Sequence, residues 1–216
     1  GLTAVLWPGA KEGLSPAEVT IAKVLSDAGY HTAMWGKWHM GDLPEHAPEN
    51  HGYDYAYYGL FNGAADGWPT SANFYDKNMP QPTTPAWYDF PGSERYKEVS
   101  GIDLSIAGYV GEKGKGRRPI EGVAGILGEK RQEAFEQESI KQIVGYIRDK
   151  AKSDKPFFVY WASYAQQVAG SEEYKNAPFV DRANAQSSFM AMHNAHVRQL
   201  LDTLKQEGIA ENTLVV

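Results

Sequence analysis

The run Pro156-Phe157-Phe158-Val159-Tyr160-Trp161-Ala162, bounded by Lys155 and Ser163, constrains the fold of this chain most. It reads as a continuous apolar strand. A strand apolar on both faces suits the middle of a sheet that helices cover on both sides. The flanking sequence supplies such helices. From about Gln132 to Lys152, Phe135, Ile140, Ile143, Val144 and Ile147 lie on one side with charges elsewhere. From about Ala183 to Gln206, Phe189, Met192, His196, Val197, Leu200, Leu201 and Leu204 are core candidates, and Gly208 ends the helix. Upstream, Ser15-Pro16-Ala17-Glu18 has the pattern of a capped helix start. Ile21, Val24, Leu25 and Ala28 then form an apolar face, Gly29 suits a left-handed stop, and His31 to Trp35 reads as a short buried strand. Thr213 to Val216 begins another strand. The order helix, strand, long insertion, helix, strand, helix, strand predicts an α/β fold with a largely parallel sheet sandwiched by helices.

The insertion, about 42–130, is rich in Gly, Pro, Asn and Asp, with aromatics at Tyr53, Tyr55, Tyr57, Tyr58, Phe61 and Trp68. That many packing groups argues against a linker and for loops and short elements folded over one end of the sheet. Within it, Gly111 to Arg118 (GEKGKGRR) reads as an exposed, mobile basic loop. It lacks the Gly-Lys-Ser/Thr ending of a phosphate-binding loop.

Composition narrows the function. A net charge of −6 with no long basic run argues against nucleic acid as the main partner. A hydrophobic content of 42% is that of a globular chain, and the 216 residues suffice for one domain with a sizeable core. No run has the length of a membrane-spanning helix. There is no cysteine, hence no disulfide and no thiolate metal site. The chain opens on Gly1 without a visible signal peptide, and its last residues read as a strand cut short. An internal fragment of a longer protein is therefore expected.

Directly after the strand His31–Trp35 comes Gly36-Lys37-Trp38-His39-Met40-Gly41, followed by Pro44 and His51-Gly52-Tyr53-Asp54. A lysine and a histidine two residues apart, just past a strand end, can aim two donor or cationic groups at one anion. In isolation the better reading is that Lys37 is a surface cation and His39 a satisfied core histidine, since a short motif without context is weak evidence. Its order with the preceding helix and the following His-Gly-Tyr-Asp decides otherwise. In that order the chain resembles the sulfatases, formylglycine-dependent sulfate ester hydrolases of the alkaline phosphatase superfamily. The family's Gly-Lys-Trp-His-Leu-Gly segment is matched here with Met40 in place of leucine. Lys155-Pro156-Phe157-Phe158-Val159-Tyr160 resembles the strand that leads into an active-site loop. Glu211 to Val216 resembles the segment that precedes a Ser-Asp-Asn metal site. The resemblance covers nearly the whole chain and is weakest in the insertion.

That resemblance implies an alkaline phosphatase/sulfatase-like fold, incomplete here, with residues 1–216 a partial catalytic domain. It implies a sulfuric ester hydrolase acting on a small-molecule or glycan sulfate ester, in a periplasmic or secreted setting. It makes Lys37 and His39 the catalytic and substrate-binding residues. The family's nucleophile motif should lie upstream of Gly1, and the calcium ligands outside the chain as well. No metal residue is therefore expected here, and the fragment alone should be inactive. One departure lies inside the chain. In Ser163-Tyr164-Ala165-Gln166-Gln167-Val168-Ala169, Gln167 takes the place of a family histidine. Glutamine can hydrogen-bond a sulfate oxygen but is no acid near neutral pH, so Gln167 is a third substrate-binding candidate. His193 and His196, three apart on the last helix, could suit a metal, but without a third ligand a helix-face or core role is expected. His51 and Asp54 are expected as structural support, Trp35 and Trp38 as core or pocket wall, and Tyr55 to Tyr58 as packing. Two alternatives stay open: a phosphoester or phosphonate-ester hydrolase of the same superfamily, and a non-catalytic protein that binds a sulfated ligand.

Overall fold

The computed structural model describes residues 6, 12–60, 108–120, 129–164, 171, 173–181 and 185–216. Strand β1 (His31–Lys37) lies between β2 (Tyr55–Gly59) and β5 (Phe157–Ala162), and both pairings are parallel. Beyond β2, β3 (Tyr109–Glu112) and β4 (Gly116–Pro119) continue the sheet in antiparallel fashion, giving the order β4-β3-β2-β1-β5. The parallel part is the expected one. The antiparallel part comes from the insertion.

Side chains alternate across the sheet, and each face has its own core. Ala33, Trp35, Tyr57 and Val110 pack with Phe135, Ile140, Ile143, Val144 and Ile147 of α2 (Glu129–Lys150) and with Phe189, Met192 and Leu204 of α3 (Ala185–Gln206). On the other face Met34, Ala56, Tyr58 and Tyr109 pack with Trp38, Tyr53 and Ala22 of α1 (Ile21–Asp27). The result is three layers, helix–sheet–helix. Both long helices and β5 fall within a few residues of their expected bounds.

Five expectations need correction. The capping pattern at Ser15 does not start α1. Ser15 closes a turn, accepting the Glu18 N–H at its carbonyl (2.9 Å). Thr20 is the cap instead: its Oγ1 accepts from the Lys23 N–H (3.0 Å) and donates to the His51 carbonyl (2.6 Å). The predicted apolar face of α1 points largely outward, with Ile21 63% and Val24 52% exposed and Ala22 fully buried. The reason is backbone proximity. Gly52, at φ +100, lies so close that a Cβ there would sit 2.2 Å from the Lys23 nitrogen, so the helix docks through Ala22 and its own backbone.

The segment Gly111 to Arg118 is no free loop but most of the β3–β4 hairpin. Its three-residue connection is closed by Lys115 N–H donating to the Glu112 carbonyl (2.9 Å), with Gly114 and Gly116 at positive φ. Arg117 fixes it from inside. Nη2 donates to the Asp42 carbonyl (2.6 Å), and the guanidinium lies 4.3 Å from the Tyr109 ring centre.

The strand expected at Thr213–Val216 joins no ladder among the described residues. Thr213 is extended, yet its hydroxyl donates to the Ile209 carbonyl (2.8 Å) across the turn Ala210–Asn212, and Leu214 and Val216 are exposed. Finally, β5 is not central. Among the described residues it pairs with β1 alone, and the strand buried on both faces is β1.

Candidate functional site

β1 is the axis of the site. In parallel α/β sheets, ligands are bound beyond the carboxyl ends of the strands. Lys37 is the last residue of β1, in register with Gly59, so it stands at that end of the central strand rather than beyond it. The chain then turns sharply. Gly36 has φ +104, and Trp38 and His39 still donate to the Gly59 and Leu60 carbonyls (2.9 and 2.8 Å). Met40 accepts from Leu14 N–H (2.7 Å).

His39 is held in a left-handed conformation, φ +50. Histidine tolerates that region better than most residues, but it is uncommon outside glycine. The ring is half-buried, and Nε2 donates to the Leu6 carbonyl (2.9 Å). Burial pushes its pKa below the usual histidine range. The Leu6 carbonyl opposes that, the Lys37 charge adds to it, and Asp42 opposes it. At neutral pH the ring is therefore a neutral imidazole beside a cationic lysine. An anion bound there would raise the ring's pKa and favour its protonation.

The surroundings are buried and hydrogen-bonded. Trp38 is 9% exposed, and its Nε1 donates to the His46 carbonyl (2.7 Å). His46 Nδ1 donates to the Leu14 carbonyl (3.0 Å). His51 is buried beside Trp38 with ring centres 6.0 Å apart, and burial lowers its pKa. Asp54 ties β1 to β2, accepting the Thr32 N–H at Oδ2 (3.1 Å). Trp35 is core, its Nε1 donating to Gln142 Oε1 (3.0 Å), and Tyr55 donates to the same oxygen (2.9 Å). These residues take up the supporting places expected of them.

At the end of β5, Ser163 Oγ and His193 Nδ1 are 3.2 Å apart, and the His193 ring stacks on Trp161 with centres 4.9 Å apart. His196 is 7% exposed. Burial and the neighbouring His193 push its pKa down to about 4. The pair is thus a packed wall against Trp161. Gln167 lies outside the described residues. No group of three or more His, Asp or Glu side chains able to hold a metal occurs among the described residues, so no step is assigned to a metal.

Three buried polar residues escaped the sequence reading. Asp42 and Glu49 are 1% and 3% exposed beside Arg117, and Tyr58 donates to Glu49 Oε2 (3.4 Å). Glu136 is 1% exposed on α2. For Glu136 the signal was present: it falls on the stripe of Ile140, Ile143 and Ile147, where a carboxylate has no ordinary place.

The sulfatase family model matches residues 3–216 of the chain. The chain belongs to the sulfatase family. An arylsulfatase from Hemicentrotus pulcherrimus is 27% identical over 100% of the chain and 33% of its own length. An N-acetylgalactosamine-6-sulfatase from Canis lupus familiaris is 27% identical over 94% of the chain and 32% of its own length. Among solved structures, the PsFucS1 sulfatase from Pseudoalteromonas sp. superposes with a TM-score of 0.65 at 20% identity, over 93% of this chain and 38% of that one. This sulfatase chain thus spans about a third of the length of the curated relatives it matches.

Proposed function

We propose that this chain carries the sulfate-binding wall of a sulfatase active site, and that the whole protein hydrolyses a sulfate ester. The observation that carries the reading is Lys37 at the carboxyl end of the central parallel strand with His39 held left-handed two residues on. A strained backbone at a ligand-facing turn is a recurrent property of active sites. Charge builds on the sulfuryl oxygens and the leaving oxygen in the transition state, and fixed donors at that place stabilise it. Lys37 supplies an ammonium group at the strand end. His39 supplies a ring that is neutral when the site is empty and gains a proton affinity when an anion binds. Gln167 is proposed as a further hydrogen-bonding contact to the substrate.

A sulfated sugar or aryl sulfate is the proposed substrate class, in keeping with the arylsulfatase and N-acetylgalactosamine-6-sulfatase relatives. Calcium and a formylglycine nucleophile are proposed for the whole protein. No cluster of three or more metal-ligating side chains occurs among the described residues, and the chain has no cysteine to oxidise, so no residue role here is assigned to either group. In the full-length gene product, Lys37→Ala and His39→Ala are each expected to lower kcat/KM on an aryl sulfate by about 10²–10³-fold. Steady-state kinetics checks this, and wild-type values in both variants would sink the reading.

A further inference from the structure

Ser163 and Tyr164 lead out of β5 at the same end of the sheet as Lys37. Gly36 pairs with Ala162, so Lys37 and Ser163 are the next residues along two neighbouring parallel strands. This stem is gripped from both long helices. His193 of α3 meets Ser163 as described above. From α2, Glu136 Oε1 accepts the Tyr164 backbone N–H at 2.5 Å, with the Ser163 and Trp161 side chains beside the carboxyl. Tyr164 is fully buried, its ring edge-on to Phe135 with centres 5.6 Å apart.

A buried carboxyl is a costly way to fill a helix face. Glu136 forms no salt bridge among the described residues, and burial pushes it up to about 7. An apolar side chain would pack α2 against the sheet at lower cost. What the carboxyl provides that such a side chain cannot is an acceptor for a backbone N–H just beyond the strand.

We propose that Glu136 is a positioning residue of this site: by holding the Tyr164 amide it fixes the stem after β5 beside Lys37, and with it the geometry in which a sulfate ester meets Lys37 and His39. The proposal rests on the sulfatase reading above. Glu136→Gln keeps an acceptor at the same reach. Glu136→Asp withdraws it by about 1.5 Å, one carbon–carbon bond.

In the full-length gene product, Glu136→Asp is expected to speed amide exchange at Tyr164 by about tenfold, the worth of one hydrogen bond. It is also expected to lower kcat on an aryl sulfate by about 10–100-fold with little change in KM, as for a misplaced reacting group. Glu136→Gln is expected to match wild type in both readouts. Wild-type exchange and kcat in Glu136→Asp would overturn the proposal. So would an equal loss in Glu136→Gln, or a lowered thermal midpoint in both variants with wild-type kcat. Absence of sulfatase turnover in the wild-type protein would instead sink the functional reading, and the exchange comparison would still report whether Glu136 anchors the stem.

Discussion

Gly36 is where β1 must bend to deliver Lys37 and His39, and the site depends on its missing side chain. A Cβ there would lie 2.0 Å from the Ala162 carbonyl oxygen on β5, in a backbone already at φ +104. Gly36→Ala is expected to cost about 2–4 kcal/mol, combining left-handed strain with a backbone clash. Chemical denaturation of the full-length protein checks it, and an unchanged midpoint would mean that β5 can shift aside freely. At this scale the sequence was informative where residue types are diagnostic: glycine, lysine and histidine in one short segment after a strand. It was silent on the left-handed φ of His39, because nothing about histidine itself requires that conformation. Glu136 escaped although its place on the apolar stripe of α2 marks it, because amphipathic periodicity is read from the apolar residues and not from the exception among them.

Elements with a strong apolar pattern were legible, and those fixed by local polar contacts were not. α2 and α3 declare themselves through periodic apolar residues, and β5 through an unbroken apolar run. α1 has seven residues, and local contacts decided its start: Thr20 could satisfy both Lys23 and His51, whereas Ser15 could satisfy only a turn. The hairpin was misread because glycine and basic residues suit a solvated loop as well as a tight connection, and the contacts of Arg117 with Asp42 and Tyr109 are invisible in composition.

α3 also has a pH signature. His196 titrates near 4 in the folded chain against an ordinary 6.5. As pH falls from about 6.5 towards 4, the unfolded chain therefore takes up a proton that the folded one does not, and stability declines. His39, His51 and His193 are depressed in the same sense. Glu136 runs the other way: its raised pKa contributes stability below about 4.5 that is lost as pH rises through about 7. His196→Leu is expected to flatten the decline between pH 6.5 and 4. Urea midpoints across that window check it, and an unchanged slope would assign the decline to the other histidines.

At the scale of the molecule, the described elements cover the two faces of the sheet unequally. Two 22-residue helices bury one face, whereas on the other the seven-residue α1 leaves Ile21 and Val24 outside and Tyr160 of β5 46% exposed. Val19 is also exposed, at 72%. Exposed large apolar side chains promote association where they meet. The 216-residue chain produced by itself is expected to self-associate in a concentration-dependent way, and Ile21→Lys with Val24→Lys to reduce it. Light scattering at several concentrations decides, and a monodisperse monomer would show that these side chains form no patch large enough to matter.

The strand that carries Lys37 is completed late. Its partner β5 follows about 125 residues downstream, as the pairing of His31 with Phe157 requires. On a ribosome adding 5–20 residues per second, Met34 and Trp35 wait roughly 6–25 s for that neighbour. For that interval the nascent chain offers a strand that β2 can pair along one edge only, with large apolar groups beside its open edge, and it is then that a chaperone binding such segments would find its opening.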